Sequence, residues 1–480
     1  MTAAVLSMPG TTTLDAEVRR VFEKQFDTAI RLRRSTADER IAKIKKLKEA
    51  VLAHSTVLQE AMFKDFRKPA VEVDLTEILP VISEANECIR KTRKWMKPAG
   101  VWPTILTGGL KGYIQYEPRG RCLIVAPWNY PINLIFVPLI TAIAAGNTAI
   151  LKPSEMTPHT TAVIVKIVKE TFPEEEVAIF EGDATTSTAL FALPFDHIFF
   201  TGSPAVGKIV MAAAAKHLTS VTLELGGKSP TIVDETADID LAARNILWGK
   251  FTNGGQTCIA PDHVFVHESV KADFIAKASA ALKASYGASD AEQSRSPCLS
   301  HSVNERHAQR VAGLLEDAKA RGAKVVAGGG FNVADQWVAP TLLTDVPKDA
   351  KVMSEEIFGA LLPIIGYTHL QTVIDEINAN PKPLALYVWS KKDENINKVM
   401  KETSSGGACI NHTVVHYLHS NLPFGGVNNS GIGAAHGIYG FKAFSHERSV
   451  IRTRFMVARI FFPPYSNFMK RMVQTLMKIV

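Results

Sequence analysis

At 480 residues the chain is too long for one ordinary hydrophobic core, so two or more domains are expected. With 46% hydrophobic and 21% charged residues it has a globular composition, and no run of about 18 apolar residues offers a membrane span. The net charge of +7 does not argue for nucleic acid: seven basic residues and no acidic one lie between Arg448 and Val480, leaving 47 Lys+Arg against 47 Asp+Glu before them, and a neutral body without a basic–aromatic face excludes that partner. Met1 to Thr13 lacks a basic stretch followed by an apolar one, so no signal peptide is expected. The five cysteines (Cys88, Cys122, Cys258, Cys298, Cys409) are scattered and form no CxxC pair, which fits free thiols in the cytoplasm.

Residues 14 to about 66 read as amphipathic helices. Thr36-Ala37-Asp38-Glu39 has capping-box spacing, and Ile41, Ile44, Leu47 and Val51 follow at helical period. Around Gly108 to Tyr116 the pattern turns strand-like, punctuated by glycine. From Cys122 to Ile198 apolar runs alternate with helical patterns: CLIVA (122–126), NTAILK (147–152), a helix from His159 to Glu170, then VAIF (177–180). A second alternating region runs from Thr222 to about Tyr367, with PTIV (230–233), a helix over Ile239–Phe251, HVFVH (263–267) and KVVAGG (324–329). Such alternation predicts an α/β fold with two parallel-sheet domains, divided near Val221 to Gly227.

Four places carry chemical potential. His197 to Gly207 followed by KIVMAAAAKH reads strand, glycine turn, helix. A helix N-terminus suits a pyrophosphate, Gly202 allows close approach and Ser203 can donate; an ordinary turn is the alternative, since the spacing is not GxGxxG. Cys258, in GGQTC, has small neighbours that would admit a carbonyl, but nothing local supplies a base, and a buried structural cysteine stays open. Glu224, between two leucines and before two glycines, suits a desolvated general base, or a surface carboxylate paired with Lys228. Asn129, with a proline two residues to either side, suits a rigid oxyanion donor or a turn asparagine.

Taken together, PWNYP (127–131), KPSE (152–155), FTGS (200–203), LELGGKSP (223–230), GQTC (255–258), EEIFG (355–359) and NLPFGG (421–426) resemble the aldehyde dehydrogenase superfamily in order and spacing. The short N-terminal region, EGD after VAIF, the HYLHSNLPFGG loop and the extended C-terminus resemble its class-three branch, which handles fatty and aromatic aldehydes. The resemblance implies Cys258 as nucleophile, Glu224 as general base, and Asn129 with the Cys258 N–H as oxyanion donors. It further implies NAD, with NADP as the alternative, held by Trp128, Lys152, Glu155, Gly202, Ser203, Gly207, Glu356 and Phe358. Glu155 leans toward NAD, because a carboxylate repels a 2′-phosphate. The substrate implied is a small hydrophobic aldehyde, the assembly a homodimer, and the division 1–97 with 118–222 for NAD, 223–416 for catalysis, and 98–117 with 417–450 as a small β oligomerisation flap.

The sequence departs from the family pattern at Ala360, where proline is usual after EEIFG, at Asn428 after FGGV, and at His412 in the CIN stretch. Two other readings differ in kind. A relative that passes the acyl group to coenzyme A would lack the base that Glu224 supplies, and a non-catalytic NAD-binding protein would have no use for Cys258, Glu224 and Asn129 together. His412, His416 and His419 have helical metal-ligand spacing but sit between glycine-rich segments, so a loop and no metal are expected. The tail, 451–480, reads as basic and amphipathic: after Pro463-Pro464, the apolar residues from Phe468 to Val480 recur at helical spacing opposite Lys470, Arg471 and Lys478. Such a helix suits peripheral contact with an anionic membrane, or packing against the protein.

Overall fold

The computed structural model describes residues 13–107, 110–453 and 462–479. The leader reading over Met1 to Thr12, the glycines 108–109 and tail residues 454–461 and 480 lie outside the described residues. Three helices open the chain, Thr13–Arg33, Ala37–Ala53 and Ser55–Phe66. The second starts at the capping box expected there: the Glu39 N–H donates to Thr36 Oγ1, and the Thr36 N–H donates to Glu39 Oε2 at 2.6 Å. Ile41, Ile44, Leu47 and Val51 are all buried, on the side where this helix meets helix Leu79–Trp95. Each such side chain contributes about 1.5–3 kcal/mol of hydrophobic stabilisation. The stretch Ala70–Trp95 was not foreseen as helix. It contains one π-helical segment, Asp74–Ile78, just before Pro80. Such bulges cluster at functional sites, and this one delivers Leu75 and Thr76 to a cavity described below.

The first sheet has six strands in the order 431–432, 220–224, 197–201, 121–125, 148–152, 177–179, all parallel except the first. The strands 121–125, 148–152 and 197–201 read as unbroken apolar runs because helices cover both faces of the sheet. Helix Asn133–Ala145 is apolar all round and buried almost throughout, as a helix wedged between other layers must be.

The second sheet has seven strands in the order 324–327, 341–344, 361–367, 263–267, 230–233, 385–389, 407–410, again parallel save the outermost. A three-stranded antiparallel sheet, Ala99–Val101, Leu110–Pro118 and Ser445–Thr453, forms a small β flap, while Gly431–Ile432, inside the segment 417–450 assigned to the flap, pairs with the first sheet. The predicted α/β class with two parallel sheets and a small β flap is therefore what the chain adopts. The tail helix spans Asn467–Leu476, shorter than the pattern suggested, and buries none of its side chains: Phe468 is 77% exposed, and Met477 just past its end 76%.

Candidate active site

Lys152 and Glu224 end two parallel strands of the first sheet, while Asn129 and Ser203 lie just past the ends of the two strands between them. Ligands bind at this edge in open parallel sheets, because the strand ends leave a crevice. Helix Pro204–Ala215 begins here, capped by Ser203, whose Oγ accepts the Val206 N–H at 3.4 Å. The Ser203 proton stays available to a ligand, and the helix end favours negative charge.

A cleft of about 270 Å³ opens at these strand ends, and Trp128, Asn129, Gly202, Ser203, Glu224, Cys258, Glu356 and Phe358 line it. Lys152, Glu155 and Gly207 do not. Lys152 is buried and its Nζ donates to Glu155 Oε2 at 3.1 Å. Gly207 serves close packing: a Cβ there would sit 2.8 Å from the Leu225 side chain. A second, apolar cavity of about 120 Å³, walled by Leu134, Trp248, Val414, Tyr417, Leu418 and Phe424 among others, shares Cys258 with the first. Cys258 thus stands where the cleft at the strand ends meets a second, apolar cavity.

The loop that presents Cys258 is built on left-handed backbone. Asn253, Gly254 and Gly255 have φ of 58°, 61° and 78°. A Cβ on Gly255 would lie 2.3 Å from the Gly359 carbonyl oxygen, so this loop packs directly on the one carrying Glu356 and Phe358. Asn129 Nδ2 donates to the Gln256 carbonyl at 3.0 Å, and Asn253 Nδ2 donates to the Asn129 carbonyl at 2.8 Å. Gln256 Nε2 donates to the carbonyls of Asn253 and His301, and Gln256 Oε1 accepts the Val303 N–H. Sequence reasoning missed Asn253 and Gln256 as supports of this loop. An asparagine before two glycines was the available signal, since Asn tolerates the left-handed region. It also missed a buried pair, Lys68 and Glu77, at 3.0 Å. The second Glu77 oxygen accepts the N–H groups of Ile132 and Asn133, anchoring the helix that follows Asn129.

The electrostatics follow from burial. Glu224 has two buried oxygens without a hydrogen-bond partner, and burial raises its carboxyl well above the usual range. Burial lifts Glu356 to about 7 against the opposing Gly227 N–H bond. Burial, then the Glu356 and Glu224 charges, push the Cys258 thiol to about 12, while the Cys258 and Ile259 N–H groups favour the thiolate. The thiol is therefore protonated at neutral pH until a base or a cation acts on it.

These residues fit a dinucleotide. The cleft holds a capped helix N-terminus, an orphaned Thr201 hydroxyl, and the edge-to-face pair Trp128–Phe358 at 5.4 Å. Gly226 leaves room beside Glu356, whose oxygens a Cβ would approach to 2.5 Å. His412, His416 and His419 do lie in a loop with a short 3-10 turn at Val415–Leu418. His416 Nδ1 contacts Cys409 Sγ at 3.2 Å, and among the described residues no three side chains gather as metal ligands.

Residues 9–450 match the aldehyde dehydrogenase family. The chain is 42% identical to the dimeric NADP-preferring aldehyde dehydrogenase of Rattus norvegicus, over 86% of this chain and 89% of that one. It is 41% identical to aldehyde dehydrogenase family 3 member A2 of Macaca fascicularis, over 85% and 83%. Among solved structures, AldH of Staphylococcus aureus in its substrate-bound state superposes with a TM-score of 0.91 at 40% identity, covering 96% of this chain and 99% of the other.

Proposed function

The chain belongs to the aldehyde dehydrogenase family and is an NAD(P)-dependent oxidoreductase of aldehydes; from that premise we propose that it oxidises apolar aldehydes through a thioester on Cys258. The observation that carries this reading is the convergence of Cys258, Asn129 and a partnerless buried Glu224 on one cleft. Glu356, Phe358 and Trp128 would hold the nicotinamide riboside, the Ser203 helix end the pyrophosphate, and Lys152 with Glu155 the adenosine ribose. Bound there, NAD(P)+ supplies a hydride acceptor and a positive ring that favours the thiolate.

Once its proton has passed to solvent, the Cys258 thiolate attacks the aldehyde carbon, forming a C–S bond while the carbonyl π electrons move to oxygen. Asn129 Nδ2 and the Cys258 N–H donate to that oxyanion, as preorganised donors in a water-poor site. Asn129 already commits one N–H to Gln256, so its second is the one left for substrate. Once the adduct is oxidised to a thioester, Glu224 takes a proton from water, which attacks the carbonyl. The C–S bond breaks, and the carboxylic acid leaves with the thiol restored. Burial raises Glu224 well above the usual carboxylate range, so once ionised it is a stronger base than an ordinary carboxylate.

The tunnel of Trp248, Tyr417, Leu418 and Phe424 supports medium- or long-chain aliphatic or aromatic aldehydes, since its walls offer little to hydrogen-bond. The Glu155 carboxylate supports NAD over NADP. Pairing of two copies through the flap is supported by the exposed Trp102, Ile105, Leu106 and Ile451 around it. The unburied tail helix, with Lys470 and Arg471 beside Phe468 and Met477, supports a peripheral hold on anionic lipid. The test is direct: with NAD+ and a fatty aldehyde the reduced-cofactor absorbance rises, and in Cys258→Ala it does not. Near-normal turnover by that variant contradicts the mechanism.

A further inference from the structure

Four residues beyond Glu224 stands Lys228, and four beyond Cys258 stands Asp262. The two side chains meet as a partly buried ion pair, Lys228 Nζ lying 2.5 Å from the buried Asp262 Oδ2. His263 backs the carboxylate at 3.1 Å, and the Asp262 N–H donates to the Ser229 carbonyl at 2.8 Å. The segment downstream of the base and the segment downstream of the nucleophile are thus tied to each other.

The same pair also grips the loop that carries Glu356 and Phe358. Lys228 Nζ donates to the carbonyls of Val352 at 2.9 Å and Glu355 at 2.8 Å. Asp262 Oδ1 accepts the Ile357 N–H at 3.0 Å. Arg310 donates to three successive carbonyls, Glu356 at 3.2 Å, Ile357 at 2.5 Å and Phe358 at 3.4 Å. Between Glu355 and Gly359 the backbone belongs to no helix or strand, and Phe358 is left-handed at φ 42°. A partly buried backbone without a ladder needs partners for its polar groups, and here three charged side chains supply them. Lys228 and Arg310 are suited to this because each has several donors, and Asp262 because each of its oxygens can serve a different element.

We infer that Lys228, Asp262 and Arg310 are positioning residues that hold the cofactor loop in register with the base and the nucleophile. None of the three is asked to touch a reacting atom. They fix where Glu356 and Phe358 stand, so their loss costs cofactor binding before it costs aldehyde binding. The inference rests on the assignment of Glu356 and Phe358 to the cofactor.

The test uses the full-length protein. Titration calorimetry with NAD+ and no aldehyde gives the cofactor Kd, and initial rates give both KM values. Asp262→Asn and Arg310→Gln should each weaken NAD+ binding about tenfold and raise its KM in step, with the aldehyde KM moving less than about twofold, as expected when a loop shifts by a fraction of an ångström. Because Asp262→Asn leaves Lys228 unpaired, the double variant Lys228→Met/Asp262→Asn removes both charges. Its thermal midpoint should recover toward the parent while its NAD+ affinity stays weak. Recovery of both, or parental affinity in the single variants, overturns the inference. Glu356→Gln is the control. If it binds NAD+ like the parent, the cofactor assignment falls and the inference with it. If it weakens binding while the clamp variants do not, the inference alone falls.

Discussion

Glu224 is buried with neither carboxyl oxygen hydrogen-bonded, an arrangement that costs about 1–3 kcal/mol when nothing compensates. The sign of its linkage follows. In the unfolded chain this group ionises near its ordinary value, 4.5, whereas burial keeps it protonated to higher pH in the folded state. The folded protein binds more protons across that window, so Glu224 withdraws stability as pH rises above 4.5. Glu224→Gln, which stays neutral, should therefore raise the thermal midpoint relative to the parent more at pH 8 than at pH 5; equal gaps at the two pH values would contradict a desolvated Glu224. The glutamine variant should also give one burst of reduced cofactor per site and then stall. Glu155 sets a second residue-scale expectation. Its charge should leave kcat/KM higher with NAD+ than with NADP+, and Glu155→Gln should narrow that gap by about tenfold if one like-charge repulsion of roughly 1.4 kcal/mol is removed. A parent preference for NADP+, such as the rat relative's name carries, would contradict this.

The turn Asn253–Gly255 shows what an element contributes. Gly255 is left-handed and pressed against the Gly359 carbonyl, so Gly255→Ala faces both strain and a backbone clash. Lost registry between the Cys258 loop and the Glu356 loop should lower kcat about a hundredfold, measured beside the thermal midpoint; parental kcat would show that the contact is idle. Local signals made such elements legible in the sequence. The Thr36–Glu39 cap, the apolar strands from Cys122 to Thr201 and the FTGS turn each depend on neighbours a few residues away. Helix Leu79–Trp95 was not foreseen, because its charged and apolar positions gain meaning only against helix Ala37–Ala53 and helix Asn133–Ala145. Likewise the order of the second sheet, in which 263–267 lies between 230–233 and 361–367, is fixed by pairing across long separations. Motif wording singled out Cys258, Glu224 and Asn129, which line one cleft, whereas Asn253, Gln256, Lys68 and Glu77 act through contacts that no spacing announces. Ala360 loses the usual proline, yet the loop before it is gripped through five backbone groups by Lys228, Asp262 and Arg310.

At the scale of the whole molecule the two parallel sheets divide the work. The first sheet supplies Glu224, Asn129 and the Ser203 helix end; the segments around the second supply Cys258 and Glu356. Their meeting places Cys258 between the cleft at the strand ends and a second, apolar cavity. No helix among the described residues is long and apolar enough to cross a membrane, so lipid contact would fall to the surface helix Asn467–Leu476. Vesicles rich in anionic lipid should sediment the protein at low salt, release it as salt screens the basic residues over about 10 Å, and ignore a chain lacking residues 455–480. Absence of binding by the intact chain would leave the helix to pack on protein. The central claim is the covalent one, and mass spectrometry of Glu224→Gln mixed with NAD+ and a fatty aldehyde tests it most directly. The account predicts one acyl group per chain, on the peptide containing Cys258, in step with one equivalent of reduced cofactor. Steady turnover at the parent rate with Cys258 unmodified would contradict it.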